Sequence, residues 1–182
     1  MKEKLLKLIP EFELIVNKDL KEKTINVWIE AVKMGRWIID DLVNIPFTLL
    51  IPDTNINIIE HTRSITKICS EVERVFKKIY GDKMVKINRD ILIGGALLHD
   101  VGKILEYTKK DNKYIKSKMG KLLRHPFSGA GLAFKLGLPD EVVHIIAVHA
   151  KEGDSGKRTP EAIILHHADF MNFEPLKDSI QL

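Results

Sequence analysis

The sequence predicts an all-α protein, and three observations support this prediction. Apolar residues recur at the three- and four-residue spacing of amphipathic helices along nearly the whole chain. No segment shows the two-residue alternation that is typical of a half-buried strand. Asparagine, proline and glycine residues stand where helices of ordinary length would begin and end. We therefore expect a helical bundle.

The first 45 residues are predicted to form a helical extension packed on the remaining domain, residues 46–182. Lys2 to Asn17 has a helical pattern that an internal proline should bend or break. Asp19 to Leu42 follows as a longer amphipathic segment. The stretch from Pro46 to Asp53 contains two prolines and is predicted to be a non-helical connection inside one structure.

The central part of the chain is predicted to contain two helices. The first runs from about Asn55 to Tyr80 and stops at Gly81. The second begins near Asn88, which is a good N-cap residue. Because this second helix is apolar almost all round, it should be central and buried.

The C-terminal part is predicted to contain three more helices after a polar loop. Asp111 to Lys121 is polar and basic, which indicates a surface loop. A helix then runs from Pro126 to about Leu136, and another from Pro139 to Ala150. The last predicted helix covers Thr159 to about Phe173, with a threonine N-cap and proline at its first position.

The composition is that of a globular chain. Of the 182 residues, 45% are hydrophobic and 30% are charged, which excludes an intrinsically disordered protein. No apolar run approaches the roughly 18 residues that a membrane-spanning helix requires, and the acidic, quickly polar start does not resemble a secretory signal. The single Cys69 cannot form an internal disulfide. We therefore expect a soluble, cytoplasmic protein.

The charge distribution gives little support to a nucleic-acid partner. The net charge of +4 comes from 29 basic and 25 acidic residues that are spread along the chain. A nucleic-acid-binding protein would more often concentrate its basic residues on one face, with aromatic residues between them. The N-terminal segments fit either internal packing or the surface of a homo-oligomer.

The residues that carry chemistry form an ordered set of histidines and aspartates: His61, His99, Asp100, His125, His149 and Asp169. The pair His99-Asp100 directly follows the buried helix and precedes Gly102, which lets the chain turn sharply. Burying such side chains without partners would cost several kcal/mol, so something must satisfy them. A metal ion would do so, and a purely structural polar network is the alternative.

This ordered pattern resembles the HD superfamily of metal-dependent phosphohydrolases. The matching segments span roughly residues 55 to 175: Glu60–Arg63, Leu97–Lys103, His125–Gly129, Ala147–His149 and His167–Asp169. The resemblance implies two adjacent metal sites. Their ligands would be His61, His99, Asp100 and Asp169 for the first ion, and Asp100 as a bridge, with His125 and His149, for the second.

The resemblance also implies the reaction. We expect hydrolysis of a phosphoester or phosphoanhydride bond, by metal-activated water, in a nucleotide or similar small phosphorylated metabolite. Imidazole and carboxylate ligands suit Mn, Fe, Co, Ni or Zn, with one or two ions per chain. Asp100 and Lys103 are the expected catalytic residues. Lys103, taken as an exposed loop residue, and Arg124 are the candidates for binding substrate phosphate.

Several alternatives remain open from the sequence. His125 could simply cap a helix, and His149 could offset a helix dipole. His144 is expected to lie on another helix face, at the surface or in packing, whereas His166 precedes Asp169 by three residues and could orient a ligand. At the level of function, the alternatives are a diiron oxygenase of the HD type and a nucleotide-binding HD module without turnover.

Overall fold

The computed structural model describes residues 1–83 and 85–179. Its helices are α1 (Lys2–Leu8), α2 (Lys18–Met34), α3 (Ile58–Tyr80), α4 (Arg89–Leu98), α5 (Lys103–Glu106), α6 (Lys118–Leu122), α7 (His125–Lys135), α8 (Asp140–Val148) and α9 (Pro160–Asp178). Short 3-10 segments cover Pro10–Leu14, Ile39–Val43, Gly81–Lys83 and Lys151–Gly153. Strands β1 (Tyr107–Lys110) and β2 (Lys113–Lys116) form an antiparallel hairpin. The all-α prediction is confirmed, with this hairpin as a small addition.

The starts of α3 and α4 are fixed by asparagine caps. The side chain of Asn57 accepts hydrogen bonds from the backbone N–H groups of Ile59 and Glu60, and the Glu60 carboxylate accepts one from Asn57 N at 3.0 Å. This reciprocal capping box starts α3 at Ile58, slightly later than predicted. Asn88 caps α4 by accepting from Ile91 N, as predicted.

α4 forms the centre of the bundle. Every residue from Ile91 to Leu98 is buried, and the helix packs against α2, α3, α8 and α9. The prediction of a central, buried helix is therefore confirmed. None of the helices in the described part of the chain is both long and apolar enough to cross a bilayer.

Two predicted segments are wrong in detail. The helical segment predicted over Asp19 to Leu42 ends at Met34, because Arg36 adopts a left-handed φ of 60° and turns the chain. The surface loop predicted over Asp111 to Lys121 is instead part of the β1–β2 hairpin, followed by α6. Asp111 and Asn112 both have positive φ, which is what a tight two-residue hairpin turn requires.

The three helices predicted in the C-terminal part are confirmed as α7, α8 and α9. The first two match their predicted ranges to within two residues. Thr159 caps α9 through its hydroxyl, which accepts from Ala162 N at 3.3 Å. α9 continues to Asp178, past the predicted end near Phe173.

Two tryptophans of the N-terminal part, Trp28 in α2 and Trp37 after it, support the chain on both sides of His99 and Asp100. The indole N–H of Trp28 donates to the carbonyl of Leu97 at 2.8 Å, and that of Trp37 donates to the carbonyl of Ile104 at 2.9 Å. Both carbonyls lie where helical hydrogen bonding is interrupted, so the indoles satisfy groups that would otherwise lack partners. The division between residues 1–45 and 46–182 stays a prediction.

Candidate metal centre

The six predicted ligand residues come together from five parts of the fold. His61 lies in the first turns of α3, His99 and Asp100 directly follow α4, and the other three are His125 at the start of α7, His149 just after α8, and Asp169 within α9. Four of them line the base of a cavity of about 370 Å³: His61, Asp100, His125 and Asp169. The residues form two groups that could each hold a metal ion.

The first group consists of His61, His99 and Asp169. The Nε2 atom of His61 lies 3.3 Å from Nε2 of His99 and 3.1 Å from Oδ1 of Asp169. His99 Nε2 is 4.0 Å from the same carboxylate oxygen. Both imidazoles are buried, whereas Asp169 is half-buried at the cavity.

The second group consists of Asp100, His125 and His149. Oδ1 of Asp100 lies 3.3 Å from His125 Nε2 and 3.7 Å from His149 Nε2, and these two nitrogens are 3.3 Å apart. The other carboxylate oxygen of Asp100, Oδ2, faces the first group at 3.4 Å from His61 Nε2 and 3.5 Å from His99 Nε2. Asp100 therefore lies between the two groups and presents one oxygen to each.

The hydrogen bonds of the four imidazoles decide which nitrogen carries the proton. Each Nδ1 atom lies against an oxygen acceptor: Asn172 Oδ1 for His61 (2.9 Å), Ala96 O for His99 (2.7 Å), Glu106 Oε2 for His125 (3.0 Å) and Ile146 O for His149 (2.7 Å). Because these oxygens accept hydrogen bonds, Nδ1 is the donor in each ring. A neutral imidazole then has an unshared electron pair at Nε2.

The donor set fits divalent metal ions. Within each group, two Nε2 lone pairs face each other at 3.3 Å, an arrangement that cannot form a hydrogen bond between neutral rings. Ligand atoms bound to one ion at about 2.1 Å typically lie about 3.0–3.5 Å apart, and the Nε2–Nε2 distance of each group lies in this range. A cation in each group would convert this repulsion of lone pairs into coordination.

The electrostatics of the site keep its ligands in the forms that bind metal. Burial alone would raise the pKa of Asp100, but Lys103 and His99 hold it well below the usual range. Burial opposes ionisation of Asp169 too, but its contacts with His61 and His99 hold its pKa below the usual value. Burial lowers the pKa of His125 to about 4, so this imidazole is neutral at pH 7. Carboxylates and neutral imidazoles are the coordinating species.

Comparison with known proteins identifies the family. The family model for the HD domain matches residues 58–171. This chain belongs to the HD-domain family. The match contains all six ligand candidates and runs from the first residue of α3 into α9.

Two curated relatives are similar to this HD domain. Dihydroneopterin 2',3'-cyclic phosphate phosphodiesterase of Methanocaldococcus jannaschii is 37% identical over 115 residues, which cover 62% of this chain and 44% of that protein. The 3'-5' exoribonuclease YhaM of Listeria welshimeri is 31% identical over 107 residues, which cover 52% of this chain and 34% of that protein. The chain thus spans less than half the length of either relative. No solved structure matches it significantly.

Lys103 occupies a different environment in the HD domain from the one predicted. It is 8% exposed, as the first residue of α5, and is not an exposed loop residue. Its Nζ donates to Asp100 Oδ2 at 2.5 Å and to the carbonyl of Phe47 at 2.6 Å. Burial would lower the pKa of Lys103, but Asp100 raises it above the usual value, so the side chain is an ammonium ion at the cavity base.

Arg124 lies on the wall of the same cavity, as its predicted role requires. Its Nε is 3.1 Å from Glu152 Oε1, and its Nη1 is 3.8 Å from Glu106 Oε1. Lys116 and Lys151 line the same cavity, and with Arg124 these three cations outnumber the acids Glu106 and Glu152 beside them, so we call this the basic wall. The apolar part of the lining includes Phe47, Leu49, Leu50, Phe170 and Phe173.

The structure adds residues that sequence reasoning missed. Asn172 holds His61, and its own amide donates to Ser64 Oγ at 3.0 Å, which fixes the orientation of the amide group. Its position three residues after Asp169, on the same helix face, was a signal that could have revealed it. Glu106 holds His125 from 19 residues away, and that distance along the chain leaves no comparable signal.

Two further histidines, His166 and His144, differ in whether they contact the candidate metal centre. The Nδ1 atom of His166 lies 2.6 Å from the carbonyl oxygen of His149, so His166 contacts the backbone of a ligand residue. His144 Nε2 accepts a long hydrogen bond from Thr159 N at 3.4 Å. His144 is not among the residues that line the cavity in the described part of the chain.

A close backbone contact brings the start of α7 up against the turn that follows Asp100. A Cβ atom on Gly102 would lie 2.1 Å from the carbonyl oxygen of His125 and 2.8 Å from Gly129 N. The turn after Asp100 therefore packs directly on the main chain of α7. Only glycine allows this approach, and the approach places His125 within reach of the Asp100 carboxylate.

Proposed function

We propose that this HD-domain protein is a metal-dependent phosphohydrolase that cleaves a phosphodiester bond in a nucleotide or a similar small phosphorylated metabolite. The observation that carries the proposal is the convergence of four unprotonated Nε2 atoms and two carboxylates at the base of a cavity with a basic wall. The relatives support the bond type, because one is named a cyclic phosphate phosphodiesterase and the other an exoribonuclease. Both names denote cleavage of phosphodiester bonds.

The protein residues have separate tasks in this reaction. The two groups would each hold a divalent ion, which would supply activated water and neutralise charge on the phosphoryl group. Asp100 holds the two groups together, since each of its oxygens faces one of them. Lys103, fixed by Asp100 and the Phe47 carbonyl, presents its ammonium group to a phosphoryl oxygen that enters the cavity.

The cavity walls divide the work of substrate binding. Arg124, Lys116 and Lys151 attract the anionic part of the substrate from the basic side. Phe47, Phe170 and Phe173 on the other side exclude water and offer an apolar surface to the rest of the substrate. Imidazole and carboxylate ligands suit Mn, Fe, Co, Ni or Zn, and we propose an ion of this set.

The test begins with metal-free protein reloaded with each candidate ion. Metal content is measured by elemental analysis, and hydrolysis is measured with bis-p-nitrophenyl phosphate, p-nitrophenyl phosphate, 2',3'-cyclic nucleotides and a short RNA. We expect about two ions per chain and faster cleavage of diesters than of the monoester. An Asp100→Asn variant should lose both metal and activity, because both groups depend on this carboxylate. The matched control, His144→Ala, should retain both.

The outcomes separate the alternative functions. Activity that needs iron and disappears without oxygen would replace the hydrolase with the diiron oxygenase. Nucleotide binding without turnover under every metal condition would favour a binding module. If the reloaded protein holds no metal at all, the six residues form a structural polar network and the proposal fails.

A further inference from the structure

The four histidines of the metal centre differ in the charge of the group that accepts from Nδ1. His61 donates to an uncharged amide, and His99 and His149 donate to backbone carbonyls. Of the four, His125 alone donates to a carboxylate, that of Glu106. The second group is therefore supported by a negative charge that has no counterpart behind the imidazoles of the first.

Glu106 is held firmly in place. It is the last residue of α5 and only 2% exposed. Its Oε2 accepts from both the backbone N–H of His125 at 2.8 Å and the ring Nδ1 at 3.0 Å. On its other side Gly120 packs so closely that an added Cβ would lie 2.7 Å from Glu106 Cγ, and Ser117 N donates to the Glu106 carbonyl at 2.8 Å. The carboxylate cannot move away from His125 without disturbing α6.

The carboxylates that face the two groups are unequal in number without Glu106. The first group has the carboxylate of Asp169 and one oxygen of Asp100, which it shares with the Lys103 ammonium. The second group has only the other oxygen of Asp100 beside its two neutral imidazoles. A carboxylate behind a coordinating imidazole raises the basicity of the ring and adds negative charge near the ion. Glu106 therefore offsets the deficit of the second group.

A role for Glu106 as counter-ion of the basic wall is less well supported by the distances. Its Oε1 lies 3.7 Å from Lys116 Nζ and 3.8 Å from Arg124 Nη1, both too long for hydrogen bonds. Both of the short contacts to Oε2 come from His125. The stronger coupling is therefore to the metal centre.

We propose that Glu106 is a positioning residue that sets the metal affinity of the second group through its negative charge on His125. This inference rests on the proposed two-ion hydrolase, and it assigns the second ion's affinity to a residue outside the six ligands. Loss of an outer carboxylate of this kind typically costs about 10- to 100-fold in metal affinity.

The experiment compares wild type with Glu106→Gln in calorimetric titrations of metal-free protein with Mn²⁺. Glutamine keeps an oxygen that can accept from His125 but removes the charge. We expect two binding steps in the wild type. In Glu106→Gln the metal affinity of the weaker step, that of the second group, should fall by about 10- to 100-fold, while the affinity of the other step is unchanged. Electron paramagnetic resonance should show spin-coupled Mn²⁺ pairs in the wild type and isolated Mn²⁺ in the variant at equal loading.

Glu152→Gln is the matched control, because Glu152 pairs with Arg124 but does not contact His125. It should leave both binding steps unchanged, and a melting curve should show that each variant is folded. The inference is overturned if Glu106→Gln leaves the second step unchanged, weakens both steps equally, or is reproduced by Glu152→Gln. A wild type that binds fewer than two ions would instead overturn the proposed two-ion site, and the inference with it.

Discussion

His61 and Asp169 project from within two long helices, α3 and α9, whereas His125 and His149 stand at the ends of the shorter helices α7 and α8. Asp169 has regular helical backbone on both sides, and His61 is placed by the capped first turn of the long helix α3. The second pair is placed by helix ends and by single contacts such as the Glu106 carboxylate. The comparison teaches that helix packing fixes His61 and Asp169, whereas the positions of His125 and His149 depend more on individual hydrogen bonds.

The largest expected effect comes from two single variants, one of which removes an imidazole from the first group and the other an imidazole from the second. We expect His61→Ala and His125→Ala each to lower kcat by at least about 10²–10³-fold, because each removes a proposed metal ligand of the reaction centre. They should differ in metal content, since His125→Ala keeps the first group, which two carboxylates face, whereas His61→Ala keeps the second group, which only Asp100 faces. Elemental analysis should find about one ion per chain in His125→Ala. Equal metal loss in both variants would break the comparison.

Acid should weaken the second group in the metal-free protein. Since burial lowers the pKa of His125 from 6.5 to about 4, the unfolded chain binds a proton between these pH values that the folded chain does not. Stability therefore falls as pH falls from 6.5 to 4, by up to about 3 kcal/mol. The depressed carboxylate pKa values of Asp100 and Asp169 act in a separate window, below about pH 3.8.

Urea unfolding at pH values from 4.5 to 7.5 measures this loss. His125→Gln cannot take up the proton, so its free energy of unfolding should fall less steeply with acid than that of the wild type. Parallel pH profiles for the two proteins would show that His125 does not titrate in this way.

A smaller effect is expected from removing Asn172, the uncharged residue that accepts a hydrogen bond from His61 in the first group. Asn172→Ala removes the acceptor of His61 Nδ1 and frees the ring to rotate. We expect about a 10-fold loss of affinity in the first binding step, at the lower end of the range for such contacts. The second step should be unchanged, which is the reverse of the pattern expected for Glu106→Gln. Calorimetry of the metal-free variant distinguishes the two patterns.

The smallest effect is expected from the indole contact that supports α5. Trp37→Phe removes the hydrogen bond to the Ile104 carbonyl but keeps an aromatic ring. Because this contact is only partly buried, we expect a loss of about 1 kcal/mol in the free energy of unfolding. Trp28→Phe, in a fully buried site, is the comparison variant and should cost more. Equal losses would show that exposure does not control the cost.

The sequence was sufficient to predict the helices that carry the candidate ligands, but not the contacts between residues that are far apart in the sequence. Asn88, Pro126 and Thr159 mark helix starts by local chemistry, so the helices that carry the ligands could be predicted. The environment of Lys103 could not, because the Phe47 carbonyl that binds it belongs to an irregular segment 56 residues away.

The hairpin shows the same limit. Its strands are short, largely exposed and rich in lysine, so no apolar alternation reveals them. Yet Lys116 on β2 lines the cavity, and Ser117, which follows it, bonds to the backbone of Glu106. The support of the second group is therefore built from a segment whose composition indicates only a solvated loop.

The glycine contact at Gly102 has a consequence for how such proteins can diverge. The turn after Asp100 packs on the main chain of His125 and Gly129, with the Ser128 hydroxyl beside it. The position of His125 next to the Asp100 carboxylate thus depends mainly on a main-chain contact, which most side-chain substitutions leave unchanged. Sequence variation can therefore change the aromatic and basic residues that line the cavity, and with them the choice of substrate. The distance between the Asp100 carboxylate and His125 stays constant.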